Sequence, residues 1–327
     1  GMINNGDVVG YAMKTGQSNG HPYLFKNGVI EDIGNGNSGI ANAINDNGQV
    51  VGTLSLSFDS ETGGSVSRPF IWDNGKITKI GSYSGGAWDI NNKKQVVGFL
   101  NIGATDGYPV HAFIWDKGSI KDLGTLGGDD EGGTTRAYAI NNLSQVVGCS
   151  IAKDGNEHPF LWENGKMRDL GNLYNEGGCA VDINDSGQVL GYFYKMNSKF
   201  NTIDIEAFLW ENGNITPLSD APTGFRPYKI NNNGDIAGAY NGVTIRRKGI
   251  YRQYLEVMGW SIGAGDGIGF NDHGQVAVSG AKLGSSSGRY GLLISLPESL
   301  DSQFKIEKNI QDTTETSIQE VSVTPAN

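Results

Sequence analysis

Three of the four histidines, His21, His111 and His158, head similar segments: His21-Pro22-Tyr23-Leu24-Phe25, His111-Ala112-Phe113-Ile114-Trp115 and His158-Pro159-Phe160-Leu161-Trp162. Imidazoles recurring at one position could bind a metal or carry protons. The carboxylates Asp59, Glu61, Asp129, Asp130, Asp182 and Asp266 are of the type that works in pairs in glycosidic bond cleavage. Asp129-Asp130-Glu131 is also a candidate for Ca²⁺, but nothing around it has the spacing of a Ca²⁺ loop. Cys149 and Cys179 are too few for a Cys-rich zinc site. Two free buried thiols are the expected state, and a disulfide stays open because their separation is not encoded locally. Gly284-Ser285-Ser286-Ser287-Gly288 fits G-x-S-x-G but sits in a polar loop without a strand, turn and helix around it. Gly34-Asn35-Gly36-Asn37-Ser38-Gly39 mimics a dinucleotide fingerprint but leads into a strand. No residue set is assigned as catalytic or as metal-binding.

What positions these residues is a repeat. Ile44-Asn45-Asp46-Asn47-Gly48-Gln49-Val50-Val51-Gly52 recurs as Ile90-Asn91-Asn92-Lys93-Lys94-Gln95-Val96-Val97-Gly98 and as Ile140-Asn141-Asn142-Leu143-Ser144-Gln145-Val146-Val147-Gly148. Further copies start at Ile183, Ile230 and Phe270, and a truncated one opens the chain at Met2. The residue before the Gln or Asp is Gly6, Gly48, Lys94, Ser144, Gly187, Gly234 or Gly274, at intervals of 42, 46, 50, 43, 47 and 40. That period matches one four-stranded propeller blade. The aromatic segments lie between the copies, each followed by a glycine turn and a short strand such as Met167-Arg168-Asp169-Leu170. Asn-Asp-Asn-Gly and Glu-Asn-Gly supply tight turns, because Asn and Gly tolerate positive φ.

Each unit therefore reads as four short antiparallel strands, and a sheet with two apolar faces is covered by stacking copies around an axis. The fold class is all-β, a β-propeller of seven blades. Residues 2–298 form the disc, 299–312 hold a candidate ring-closing strand around Phe304-Lys305-Ile306, and 313–327 read as a polar flexible tail. Equivalent positions in neighbouring blades lie on the order of 10 Å apart or more. The histidines thus cannot share a metal with bonds of ~2.1 Å and are expected to hydrogen-bond within or between blades. Asp32, Asp122 and Asp169 recur in the same way, as do Asn45, Asn91, Asn141, Asn184, Asn231 and Asn271. They are expected as turn and strand-end partners.

Composition narrows the function. The chain has 327 residues with 50 glycines, which punctuate the turns, and 37% hydrophobic residues, enough to bury a core. No glycine period of three and no run of ~18 apolar residues occurs, which excludes collagen and argues against membrane insertion. A net charge of −10 works against nucleic-acid binding. The one basic cluster, Arg246-Arg247-Lys248 with Arg252, reads as a solvated hairpin. No signal-peptide pattern opens the chain, although Gly1 ahead of Met2 leaves room for a leader that was removed.

His111-Ala112-Phe113-Ile114-Trp115 followed by Asp122-Leu123-Gly124-Thr125-Leu126-Gly127-Gly128 resembles the bacterial HAF-repeat family, over roughly residues 2–296. Only the third unit carries the full His-Ala-Phe, and the sixth replaces the aromatic strand with Ile245-Arg246-Arg247-Lys248-Gly249. The resemblance implies an extracellular or cell-envelope location and leaves the activity unassigned.

All tight turns fall on one face of such a disc, so the long connections, unlike in length and composition, collect on the other. Loops on a rigid scaffold usually carry function. Trp88, Arg136, Tyr138, Phe225, Arg226 and Tyr228, where inner strands begin, are the candidate ligand-binding residues around the axial mouth of that variable face. Guanidinium groups and aromatic rings suit a carboxylate, a phosphate or a sugar face. The expected function is a non-enzymatic binding scaffold for a carbohydrate or protein, monomeric, without a cofactor. The rival is a polysaccharide lyase or glycoside hydrolase using the loop carboxylates.

Overall fold

The computed structural model describes residues 1–310 except 14–18, 57–65, 106–107, 128–132, 255, 258–259, 264–267, 283–289 and 296–304. Asp59, Glu61, Asp129, Asp130, Glu131, Asp266, the 284–288 stretch, Phe304 and the 313–327 tail thus lie outside the described residues. Among the described residues every regular element is a strand, and the strands form seven antiparallel sheets arranged as a seven-bladed β-propeller.

Blade 4 shows the plan: an inner strand Thr135–Ile140, a second Val146–Ile151, a third Glu157–Glu163 and an outer Lys166–Asp169, paired in that order. The two-residue turn Asn164-Gly165 has φ of 52° and 80°, the left-handed pair that matches the twist of a hairpin. Blades 2, 3, 5 and 6 repeat this order from inner strands Ser38–Ile44, Gly85–Ile90, Gly178–Ile183 and Arg226–Ile230.

One irregularity repeats too. Each of these five inner strands shifts register at the same place, with Asn42, Trp88, Tyr138, Val181 and Tyr228 as the unpaired residues. The residue opposite is always glycine: Gly52, Gly98, Gly148, Gly191 and Gly238. A methyl group at Gly148 would overlap the Arg136 carbonyl oxygen, and one at Gly52 that of Ile40. These glycines, each the third residue of its second strand, are there for close backbone approach, which a β-bulge requires.

The turns between inner and second strands carry a hydrogen-bonded girdle. Nδ2 of Asn45 donates to the carbonyl of Asn91 (2.9 Å), and the link passes on from Asn91 to Asn141, Asn141 to Asn184, Asn184 to Asn231, Asn231 to Asn271 and Asn271 to Ile3. The same Nδ2 reaches the Gln four residues on, while Oδ1 accepts from two amides of its own turn. A second tier runs alongside: the amide of Asn92 donates to Oδ1 of Asn142 (2.8 Å) and that of Asn142 to Oδ1 of Asp185 (2.8 Å). Apolar packing fills the space between blades. Val97, Ile114, Ala137, Ile140, Val146 and Phe160 join blades 3 and 4 in one buried cluster.

The repeat histidines bind the outer strands of their own blades. His111 Nδ1 lies 2.6 Å from Asp122 Oδ2 and His158 Nδ1 2.8 Å from Asp169 Oδ2, and each Asp also accepts a backbone amide two residues on. His21 faces Asp32 at 3.3 Å.

Two expectations need correction. Lys305–Ile310 is a strand, but it pairs with Tyr290–Ser295 and so becomes the outer strand of blade 7. Among the described residues no strand is exchanged between the two ends of the chain. Blade 1 consists of Val8–Met13, Gly20–Lys26 and Val29–Asp32, with Met2 bridged to Val8 at its inner edge. Val8 and Phe25 pack against Ala277 and Leu293 of blade 7, and the Asp272 amide donates to Asn4 Oδ1. Cys149 and Cys179 are not free thiols. They form a disulfide between the second strand of blade 4 and the inner strand of blade 5, with Cα atoms 4.8 Å apart. Their partnership is set by blade stacking, which brings together residues from separate repeats.

Candidate functional site

The bulge turns two aromatic residues of neighbouring blades onto each other at the variable face. Trp88 stacks on Tyr138 with ring centres 4.6 Å apart and planes 13° from parallel, and Phe99 abuts Trp88 at 4.9 Å. Beside Tyr138, Arg136 Nη1 reaches Glu157 Oε1 at 3.4 Å. Blade 5 adds Tyr192 and Tyr194, whose rings meet edge to face at 5.4 Å and whose hydroxyls are 3.5 Å apart. Burial raises the Tyr192 phenol above its ordinary range, the hydrogen bond with Tyr194 adds to this, and the Arg226 charge opposes it. Tyr138 is raised by burial while Arg136 pulls it down. Tyr138 and Tyr192 remain neutral donors at physiological pH, lodged among two guanidinium groups and a carboxylate. The arrangement can stack a ring and hydrogen-bond its edge.

Of the six candidate residues, the structure brings together Trp88, Tyr138, Arg136 and Arg226. Phe225 is instead 1% exposed and meets Tyr251 edge to face at 5.4 Å in the core between blades 5 and 6. It fills the space above Gly238, where a side chain would strike its ring. Tyr228 packs against the apolar cluster of blades 6 and 7. Tyr192, Tyr194 and Glu157 were not foreseen. The alternation Tyr192-Phe193-Tyr194 was their signal, since one face of that strand takes both tyrosines while Phe193 goes to the core.

A second polar feature lies on the axis towards the tight turns. A cavity of about 220 Å³ is lined by all seven blades and holds Asp89, Asp182 and Lys229. Asp89 accepts the Ile140 amide (2.9 Å) and Asp182 the Ile230 amide (2.8 Å), each on the following blade. Lys229 Nζ is 3.3 Å from Asp182 Oδ1. Asp182, the one loop-carboxylate candidate among the described residues, is therefore tied into blade-to-blade contacts on an inner strand.

Burial lifts the Asp89 carboxyl from 3.8 to about 6, against the opposing pull of Lys229 and the Ile140 amide. Asp182, raised by burial in the same way, and the Gly1 amine share the cavity. Between pH 4 and 6 the folded chain holds a proton on Asp89 that the unfolded chain releases, so this group's contribution to stability falls as pH rises through that window. Asp89→Asn should remove the trend. The stability difference between variant and wild type, from urea unfolding at pH 4 to 8, should grow in the variant's favour by on the order of 2 kcal/mol towards pH 7. A difference that stays flat would show that Asp89 remains ionised throughout.

The fold and the mouth together define a seven-bladed β-propeller protein. No family model and no curated protein matches the sequence. Among solved structures, the chain is similar to the β-propeller domain of the Trilobed protease from Pyrococcus furiosus, at 12% identity over 88% of each chain with a TM-score of 0.54. It is also similar to the acylaminoacyl peptidase of Pyrococcus horikoshii, at 12% identity and a TM-score of 0.53. That match covers 93% of this chain and 51% of the peptidase, so the chain spans about half the length of that enzyme. At such identities the likeness is one of fold.

Proposed function

We propose that the protein is a non-enzymatic binding scaffold whose variable face holds a carbohydrate on the crescent formed by Trp88, Tyr138, Tyr192 and Tyr194. The observation that carries this is the stacked Trp88–Tyr138 pair, which is fixed by two bulged strands before any ligand arrives. Pre-ordered rings lose little conformational freedom on binding, and phenol hydroxyls with Arg226 and the Arg136–Glu157 pair supply edge hydrogen bonds. The Cys149–Cys179 disulfide and the HAF-repeat resemblance support work outside the cytoplasm.

A glycan array followed by calorimetry tests this. Trp88→Ala and Tyr138→Ala should each weaken the best glycan at least tenfold, about 1.4 kcal/mol, with unfolding midpoints close to wild type. Unchanged affinity in both variants would remove the crescent as the seat. A protein recovered in place of any glycan, and lost from the same variants, would keep the seat and change its occupant.

A further inference from the structure

Grooves between neighbouring blades recur on the tight-turn face, and two of them correspond position by position. The groove between blades 2 and 3 encloses about 380 Å³ and that between blades 3 and 4 about 570 Å³. Each is lined by the indole of the later blade, Trp115 or Trp162, and by the Asp that ends the third strand of the earlier one, Asp73 or Asp116. The remaining positions diverge. Lys76, Lys94 and Lys117 line the first groove where Ser119, Ser144 and Asn164 line the second. The converse exchange sets Thr78 against Lys121, whose Nζ lies 4.9 Å from the centre of the Trp162 ring and covers it. Among the described residues no cation lies over Trp115. The first groove thus carries three lysines against one aspartate, a formal +2; the second has one lysine against an aspartate and a glutamate, a formal −1. This occurs in a chain of net charge −10.

Two of the lysines are set against backbone preference. Lys94 has φ 65° at a turn position that is glycine in five of the seven units, at Gly6, Gly48, Gly187, Gly234 and Gly274. Lys117 has φ 49° where four other units use Asn27, Asn74, Asn164 and Asn212 and the sixth has Lys248 at φ 50°. A long side chain in the left-handed region is disfavoured, and glycine or asparagine would serve the turn better. Both turns nevertheless carry a lysine, and each brings an amine to the groove. Lys94 Nζ is held on Asp73 Oδ2 at 2.6 Å, where Gln49 also donates. Lys76 and Lys117 pair with no carboxylate among the described residues.

We propose that the groove between blades 2 and 3 is a binding site for an anionic saccharide. Lys76 and Lys117 hold its carboxylate or sulfate at the rim, and the narrow edge of Trp115 that reaches the groove floor, the rest of the ring being buried with Ile71 in the core, meets the sugar. The volume suits a small ligand, and the positive groove on an acidic protein draws anions to it. It is separate from the crescent and on the opposite face.

Calorimetry at pH 7 and low salt, with galacturonate oligomers, galactose 6-sulfate, galactose and inorganic sulfate as probes, tests it. At least one of the two anionic sugars should bind, with affinity falling at least tenfold in Lys76→Ser/Lys117→Asn and again as salt is raised. That variant carries the residues of the neighbouring groove, so its fold should hold, checked by its thermal midpoint. Lys121→Thr, in the neighbouring groove, should leave binding unchanged. Equal binding by the double variant would overturn the proposal, as would galactose binding as well as the charged sugars and losing that binding in the double variant. Inorganic sulfate binding as tightly as the sugars would mean an adventitious ion only. Loss of binding in Trp88→Ala but not in the lysine variant would assign the ligand to the crescent and leave that site standing alone.

Discussion

Asn141→Asp, a change of one NH₂ to oxygen, is expected to destabilise the protein by about 3 kcal/mol at pH 7. Asn141 is 3% exposed and uses its whole side chain: Nδ2 donates to Gln145 Oε1 (2.7 Å) and to the Asn184 carbonyl (3.0 Å), and Oδ1 accepts the Leu143 and Gln145 amides. In the variant both donated bonds become contacts between acceptors, and a charge is buried without a partner. Protonation restores one donor, so the deficit should shrink on acidification, opposite to the slope an ordinary surface carboxylate would add. Urea midpoints at pH 7 and pH 5 for Asn141→Asp and Asn141→Ala decide the matter. A loss under about 0.5 kcal/mol would mean that the girdle follows the fold without supporting it.

Gly148→Ala should be as damaging, for a reason of space. The added carbon would overlap the Arg136 carbonyl oxygen and stand 3.0 Å from the Ala137 Cα, both on the backbone of a paired strand that cannot step aside cheaply. We expect a loss of about 3 kcal/mol, or no soluble protein. Gly165→Ala is the comparison. It has φ 80° and only a flexible lysine amine nearby, so its cost is conformational and about 1 kcal/mol. Thermal midpoints of the two variants separate the explanations. Equal losses would mean that Gly148 matters for conformation and not for closeness. If Gly148→Ala folds, the bulge carrying Tyr138 must have relaxed, and stacking on Trp88 should weaken with it.

The propeller was legible because its signals are local. The Ile-Asn turn, the Val-Val strand and the aromatic strand each declare their structure within a few residues, and their common period declares the ring. What escaped depends on neighbours far along the chain. Cys149 meets Cys179 only when blade 5 stacks on blade 4. Phe225 carries the composition of a mouth residue, yet Gly238 leaves a hollow that its ring fills. Tyr192 and Tyr194 sit in a strand that reads as core, and only the register of blade 5 shows which face they take. The bulges were invisible because no residue type announces them; the glycine opposite is shared with many other uses.

Every asparagine in the girdle donates in the same rotational sense, towards the next blade round the ring, so the circuit has a direction. It also has one gap. Ile3 occupies the place of an asparagine and accepts from Asn271 but has nothing to send to Asn45. Between blades 1 and 2 the attachment is apolar, through Ile3, Val9, Leu24, Ile33, Ile44 and Val50. A unit of this kind is addressed by grammar and not by name: it speaks to whatever turn comes next and listens to whatever turn came before. A duplicated blade would therefore find both neighbours ready, which is how a chain can lengthen by whole repeats while keeping each junction intact.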